Sequence, residues 1–162
     1  MKITFRTLLL AVPGVLAGAF FLYGPQNAWE RLAGPADQGP VDFGALARRP
    51  VANDSLACTA GACTARTDFA LPHYRAGPAE LMSRLDAVVG ERAARVDDAT
   101  DPAYRRYVAR TPLMRYPDTV DARAVSEADG TALMLYSRSQ IGSGDLGTNR
   151  RRLGRWAASL AD

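Results

Sequence analysis

The sequence predicts an α+β fold, in which a small, mainly antiparallel sheet of three to four strands is packed by two helices and preceded by one N-terminal transmembrane helix. Three stretches alternate with the period of a strand, two repeat apolar residues with the period of a helix, and the N-terminal part contains a long uncharged run. These patterns divide the chain into a transmembrane anchor or signal peptide at 1–26, a Pro/Gly-rich juxtamembrane linker at 27–50 and an α+β domain at 51–162.

The clearest unit extends from Gly130 to Leu160. Apolar and polar residues alternate over 131–139, which is the period of a strand. Closely spaced glycines follow and predict a turn, because glycine adopts backbone angles that a Cβ resists. Asp145 stands where a helix N-cap belongs, and apolar residues at helical spacing continue to the end of the unit.

The elements before this unit follow from the same periodicities. Pro78 to Glu91 is predicted as a helix, because apolar residues form one stripe between a proline in the first turn and a glycine near the end. A short edge strand is predicted over Arg95–Asp98, and two longer strands over Tyr104–Thr111 and Thr119–Val125. An Asp-Gly pair at 129–130 predicts a hairpin between the last of these strands and the one that follows.

The uncharged run at 7–24 would span about 27 Å as a helix, close to the thickness of a bilayer's hydrocarbon core. Apolar residues 20–23 continue past the small-residue site at 17–19, which favours an uncleaved anchor. A cleaved signal peptide and a buried helix remain open. Lys2 and Arg6 precede the run, so the positive-inside rule predicts a single-pass inner-membrane protein with a cytoplasmic N-terminus and a periplasmic domain, secreted if the segment is cleaved.

The linker at 27–50 is rich in glycine and proline, which break regular structure. Two interpretations are open. The linker is a spacer that sets the height of the domain above the membrane, or it packs along the domain surface.

Short motifs in the C-terminal half are similar to those of a known family: Ser137-Arg138-Ser139, Ile141-Gly142, Asp145-Leu146-Gly147, Asn149-Arg150 and, upstream, Tyr116-Pro117-Asp118-Thr119-Val120-Asp121. With them the chain resembles the DUF1499 family, small bacterial and plastid proteins without an established activity, over roughly residues 51–162. Gln140 and Gly144 depart from the family pattern, which usually has arginine and serine there. The resemblance implies a family and no particular reaction.

Polar residues of the predicted hairpin and of the last helix are expected to meet at one end of the sheet. They are candidates for a shared ligand site: Asp118, Asp121, Arg138, Asp145, Asn149 and Arg150. The hairpin brings Asp121 opposite Arg138, a charge-complementary pair. Three interpretations are open: a salt-bridged corner that locks the helix onto the sheet, a pocket that binds an anion through backbone N–H groups, or a catalytic acid/base site. Asp145 argues against a simple anion site, because its own carboxylate would occupy that position.

Cys58 and Cys63 are the only cysteines and enclose four residues. In an oxidising compartment they are expected to form a disulfide, and free thiols or a metal or redox role remain open. A redox motif normally has two intervening residues, and a zinc site at both cysteines and His73 would need one more ligand. No nucleophile motif accompanies His73, so we assign no catalytic residue, metal or cofactor.

The chain is mildly basic, with a net charge of +3, and Lys2 is its only lysine. A GC-rich genome or recognition of phosphate and carboxylate groups would explain the excess of arginine. Arg150, Arg151, Arg152 and Arg155 form a basic face on the last helix. This face is solvated, or Arg151, Arg152 and Arg155 contact anionic lipid headgroups or an acidic partner. Nucleic acid is not an expected partner of an exported domain.

Together these patterns predict a membrane-anchored periplasmic interaction domain without catalysis, an accessory subunit of an inner-membrane respiratory or photosynthetic complex. This prediction rests on an anchor, a linker and a domain that lacks a nucleophile, metal-site or cofactor motif. The alternative is an anionic-ligand-binding or hydrolytic domain that acts at the corner of Asp118, Arg138, Asp145 and Arg150.

Overall fold

The computed structural model describes residues 5–160, with side chains from residue 12 to residue 160. These residues contain four α-helices and six strands. The helices are α1 (Phe5–Tyr23), α2 (Pro25–Ala33), α3 (Pro78–Val89) and α4 (Thr148–Leu160), and a 3₁₀ turn, Gly90–Arg92, follows α3. The strands are β1 (Asp54–Thr59), β2 (Phe69–Leu71), β3 (Ala93–Arg95), β4 (Tyr104–Arg110), β5 (Pro117–Glu127) and β6 (Gly130–Ser139).

The strands form one mixed sheet in the order β2-β1-β6-β5-β4-β3. β1 and β2 pair in parallel, and the other neighbouring strands are antiparallel. The predicted sheet of three to four mainly antiparallel strands is therefore wrong, and the sequence reasoning missed β1 and β2. The reason lies in burial: five of the six residues of β1 are buried, so the strand lacks the apolar/polar alternation that a half-exposed strand shows.

β5 and β6 are joined by the predicted Asp-Gly turn, and their pairing extends from Asp118 opposite Ser139 to Glu127 opposite Gly130. Gly130 has a φ of 130°, and a Cβ at this position would lie 2.7 Å from the carbonyl oxygen of Tyr74. Both the left-handed backbone and the close approach require glycine. The strands predicted on either side of the turn are confirmed and are slightly longer than the alternation indicated.

Other predicted bounds shift by a few residues. α3 ends at Val89 rather than Glu91, because the chain tightens into the 3₁₀ turn. The edge strand lies over Ala93–Arg95 instead of Arg95–Asp98.

The predicted N-terminal transmembrane helix is not supported. Over the described residues, no helix has both the length and the apolar content that crossing a membrane requires. α1 ends at Tyr23, and α2 begins at Pro25 after Gly24, whose φ of 92° interrupts the helical backbone. Lys2, on which the predicted orientation partly depends, lies outside the described residues.

α3 and α4 cover one face of the sheet, called the helix face below. Leu81 and Leu85 of α3 are buried with Leu153 and Trp156 of α4 against strand residues such as Leu135. The apolar stripes predicted for the two helices are thus the sides that pack on the sheet.

Residues 34–50, called the strap, lie across the opposite face, called the strap face. Phe43 is only 4% exposed and belongs to an apolar cluster with Tyr136 of β6. The backbone N–H of Gln38 donates to the hydroxyl of Thr119 on β5 at 3.1 Å. The strap forms most of the predicted linker. It packs along the domain surface, which is the second of the two interpretations of that segment.

Candidate functional site

The six candidate residues do not meet at one corner, because Asp118 and Asp121 lie on opposite faces of β5. Side chains of a strand alternate, so residues three positions apart point to opposite sides. Asp118 lies on the helix face with Asn149, whereas Asp121 lies on the strap face with Arg138. The two groups are described below as the helix-face network and the strap-face network.

The helix-face network is centred on an ion pair between Asp118 of β5 and Arg152 of α4. Oδ2 of Asp118 accepts a hydrogen bond of 2.5 Å from Nη2 of Arg152. Nη1 of the same guanidinium donates to Oγ of Ser137 at 2.9 Å and to Oδ1 of Asn149 at 2.7 Å. Asp118 and Arg152 are 2% and 6% exposed, so the pair is buried. A buried carboxylate requires such partners, because an isolated charge away from water is strongly disfavoured.

Asn149 connects the start of α4 to the sheet and is fully buried. Its Nδ2 donates to the carbonyl oxygen of Asn53 at 3.1 Å and to Oγ of Ser139 at 2.9 Å. Asn53 in turn donates from its own amide to the carbonyl oxygen of Gly142 at 2.6 Å. These contacts hold α4, the end of β6 and the residue before β1 together.

Asp145 caps α4 through its side chain, although the helix begins at Thr148 and not directly after Asp145 as predicted. Its Oδ1 accepts a hydrogen bond from the N–H of Gly147 at 2.9 Å, and its Oδ2 accepts one from the N–H of Asn149 at 2.7 Å. The carboxylate thus satisfies backbone donors at the helix start. Since these are the donors that an anion at this terminus would use, Asp145 already occupies the position.

The strap-face network surrounds Asp121, which is fully buried. Its Oδ1 accepts a hydrogen bond from the hydroxyl of Tyr104, and its Oδ2 lies 3.5 Å from Nη2 of Arg138. Burial raises the pKa of Asp121 in spite of these two neighbours. Arg138 also donates to the carbonyl oxygen of Gly39 in the strap. The strand register places Arg138 opposite Thr119, so its ion pair with Asp121 is diagonal rather than directly cross-strand as predicted.

Further charged contacts fix the strap in place. Asp37 of the strap pairs with Arg106 of β4 through hydrogen bonds of 2.8 and 2.9 Å. Arg48 pairs with Asp54 at 2.8 Å, and the hydroxyl of Tyr136 donates to the same carboxylate at 2.8 Å. Burial alone would raise the pKa of Asp54, but these hydrogen bonds lower it. The strap face is therefore a covered, internally paired layer.

Arg150 belongs to neither network, because it lies on the exposed side of α4. Its guanidinium carbon is 5.5 Å from the ring centroid of Phe69 on β2. Arg151 and Arg155 are also exposed, but Arg152 is buried, so the predicted basic face does not include Arg152.

A cleft opens beside the helix-face network, between the β4–β5 connection and the loop before α4. Its volume is about 660 Å³. Six of its lining residues are large and apolar, namely Pro112, Leu113, Met114, Tyr116, Ile141 and Leu146. Asp118 and Asp145 also line it, together with glycines and hydroxyl side chains, and the lining contains no lysine, arginine or histidine. Two of the apolar residues are largely open to solvent, Leu113 with 71% and Leu146 with 92% exposure.

Comparison with known families identifies the domain. The sequence model of the family DUF1499, described as a protein of unknown function, matches residues 50–160. The chain belongs to the DUF1499 family. The resemblance seen in the sequence is thereby confirmed over almost the same residues. No curated protein matches the chain.

Several motif residues of this DUF1499 domain belong to the helix-face network. Ser137 and Ser139 form hydrogen bonds with the side chain of Asn149. The backbone N–H of Asn149 donates to the carboxylate of Asp145. Arg138, the residue between the two serines, points to the strap instead. In this DUF1499 protein the motifs therefore specify how α4 is attached to the sheet.

Arg152 is the main network residue that the sequence reasoning did not place here. The position of Arg152 in the sequence indicates that it is buried. It recurs at helical intervals with the other buried residues of α4, Asn149, Leu153, Trp156 and Leu160. An arginine within an otherwise apolar stripe predicts a buried acidic partner.

Proposed function

We propose that the protein is a non-catalytic interaction domain, an accessory subunit whose helix α1 is buried in an apolar groove of a partner protein. The observation that carries the proposal is the exposed apolar surface of α1. The proposal keeps the predicted role as a subunit of a larger assembly and does not include a membrane-spanning helix.

Residues 12–22 of α1 contain no charged side chain and no side chain that forms hydrogen bonds. Val15, Leu16 and Leu22 are 69%, 64% and 91% exposed, and Val12 and Phe21 are about half exposed. A helix that is apolar on several sides is normally buried within a larger protein or a lipid environment. Exposed apolar surface of this kind supports an interaction site.

α1 contacts α2, which packs on the domain, so α1 is held by non-covalent contacts in addition to its covalent connection. Nε1 of Trp29 on α2 donates to the carbonyl oxygen of Met114 at 2.6 Å, and its ring lies 4.7 Å from that of Tyr116. Phe20 of α1 contacts the same tryptophan edge to face, with ring centroids 5.4 Å apart. A partner that holds α1 would therefore also orient the domain.

The candidate charged residues favour a structural role over catalysis. Asp118 is paired with Arg152, Asp145 caps α4, and Arg138 bonds the strap. A catalytic acid or base must reach a substrate, whereas these groups are engaged within the protein. The same contacts weaken the alternative of an anionic-ligand or hydrolytic site at the predicted corner, because Arg138 lies on the other face of the sheet.

The proposed compartment is oxidising, as in a periplasm. Cys58 and Cys63 form a disulfide, and such bonds persist outside the reducing cytosol. Mass spectrometry of the protein from its native source tests this part, and two free thiols in that sample would contradict it.

The partner is tested by site-specific photo-crosslinking in cells. A photoreactive residue replaces Leu16 on α1 or, as a matched control, Val125 near the β5–β6 turn, which is 41% exposed. We expect one discrete protein adduct from position 16 and none from position 125. The same protein should copurify in constant ratio in mild detergent, and Leu16→Asp should release it while Val125→Asp does not.

Three results would contradict the proposal: adducts with lipid alone at position 16, equal protein adducts from both positions, or a protein that remains alone under several mild conditions. The first result would assign α1 to a lipid surface, and the other two would leave it without a specific partner.

A further inference from the structure

We propose that the cleft beside the helix-face network binds an uncharged, lipophilic small molecule, and that Leu113 and Leu146 form its two rims. This inference concerns a different surface from α1 and does not depend on the proposed function. It also differs from the anionic-ligand alternative, because it assigns a neutral ligand.

The size and walls of the cleft fit a small organic ligand. Its volume of about 660 Å³ lies within the range of small-molecule sites, which is on the order of 300–1,000 Å³. Met114, Tyr116 and Ile141 line the interior and Leu113 and Leu146 the rims, so the walls offer apolar contact. A flexible thioether such as that of Met114 adapts to ligands of irregular shape.

The charges of the cleft favour a neutral ligand. Asp118 and Asp145 are the only acidic or basic side chains among the lining residues, and both have internal partners. Asp118 is neutralised by Arg152 at 2.5 Å, and Asp145 accepts two backbone hydrogen bonds at the start of α4. An anion would find no cationic side chain in the lining, and a cation would have to compete with Arg152 and the helix N-terminus. A charged ligand would therefore lose hydration without gaining a partner.

Leu146 supplies a second, independent observation. Its φ is 51°, a left-handed conformation that branched apolar residues rarely adopt, and its side chain is 92% exposed. The leucine is therefore unfavourable for the backbone and is not stabilised by burial. A disfavoured backbone conformation of this kind is typical of functional sites. Contact with a ligand in the cleft would explain an apolar side chain at this position.

The ligand class is tested on the full-length protein with three probes of equal chain length and different charge. Decanol, decanoate and decylammonium compete, below their aggregation concentrations, with the neutral dye Nile red. We expect decanol to displace the dye at a concentration about tenfold lower than either ion needs, because burial of a charge without a partner costs more than a factor of ten in affinity. Tighter binding of decanoate or decylammonium, or no displacement by any probe, would overturn the inference.

The site is tested by a substitution that separates binding from folding. Leu146→Asn keeps the side-chain size and suits the left-handed backbone, so the melting temperature should stay the same or rise. Its affinity for decanol should fall about tenfold, because one apolar wall is lost. Ala99→Asn is the matched control, since Ala99 has a φ of 60° and does not line the cleft. It should change neither affinity nor fold.

Leu113→Asp provides a charge control on the opposite rim. The added carboxylate should weaken the binding of decanol and shift the preference of the cleft towards decylammonium. Unchanged decanol affinity in both rim variants would overturn the assignment of the site, even if the dye binds elsewhere, for example on α1. Such binding on α1 would be unaffected by either rim substitution, so the two surfaces are distinguished.

Discussion

Replacement of Arg152 by methionine is expected to lower the free energy of unfolding by about 3–5 kcal/mol, the typical loss when one partner of a buried ion pair is removed. The substitution leaves the carboxylate of Asp118, only 2% exposed, without its cation. Methionine retains an unbranched apolar stem of similar length, so packing against the sheet is largely kept.

The size of the effect follows from the contacts that disappear. Arg152 donates at 2.5 Å to Asp118, at 2.9 Å to Ser137 and at 2.7 Å to Asn149. The two bonds to neutral oxygens contribute about 1 kcal/mol each, and the remainder comes from the unpaired carboxylate. Because small proteins have stabilities of about 5–15 kcal/mol, this single change removes a large fraction of the total.

Urea denaturation followed by circular dichroism measures the loss as a shift of the transition midpoint. With a slope of about 2 kcal/mol per molar, the midpoint should fall by about 1.5–2.5 M at an unchanged slope. The double variant Asp118→Leu/Arg152→Met removes both charges and should recover much of the stability. Arg155→Met, on the exposed side of α4, is the control and should change stability by less than about 0.5 kcal/mol.

A loss below about 1 kcal/mol for Arg152→Met would refute the reasoning, because a buried carboxylate that loses its paired cation is expected to cost more than this. A double variant that is less stable than the single variant would also refute it, since that result would show that the unpaired carboxylate of Asp118 is not the source of the loss.

Three further predictions concern stability. Tyr104→Phe removes the hydroxyl that donates to buried Asp121 and should cost about 1–3 kcal/mol in the same denaturation assay; a neutral effect would exclude the contact. Burial alone would raise the pKa of Asp97, but hydrogen bonds from Arg95 and from backbone N–H groups lower it to about 2. The contribution of Asp97 to the free energy of unfolding is therefore complete above its unfolded-state pKa of about 3.9 and is lost as the pH falls towards 2. Asp97→Asn should flatten the stability curve in this interval, and an unchanged acid transition would show that the group is not linked to folding. Cys58→Ala/Cys63→Ala should cost about 2 kcal/mol, because the disulfide closes a short loop, and reductant should destabilise the wild type but not the variant. Equal melting temperatures of the wild type with and without reductant would contradict this account.

The predictions that succeeded rest on neighbouring residues. The turn at 129–130, the strands on both sides of it, the helix from Pro78 and the cap at Asp145 each depend on side chains within a few positions of one another. The disulfide also links cysteines that are close in sequence. Such features are set by backbone sterics and by period, which a linear pattern shows directly.

The predicted convergence of the candidate residues is wrong at Asp121 and Arg138, which lie on the strap face. The prediction places Asp118 and Asp121 in one site at the end of the sheet, although an interval of three residues puts them on opposite faces of the strand. The predicted basic face includes Arg152, but Arg152 is buried and its helical spacing matches that of Leu153 and Trp156.

Periodicity and turn residues were sufficient to predict the central hairpin and the two packing helices, and short motifs were sufficient to recognise the family, because each depends on residues close together in the chain. The pairing of Asp118 with Arg152, the strap over Asp121 and the cleft beside Leu146 required the three-dimensional fold. These features join segments that are far apart in the chain, and their formation depends on how the layers stack and on which charges burial brings together. A one-dimensional pattern shows which side of an element is apolar, but it does not show what will cover that side.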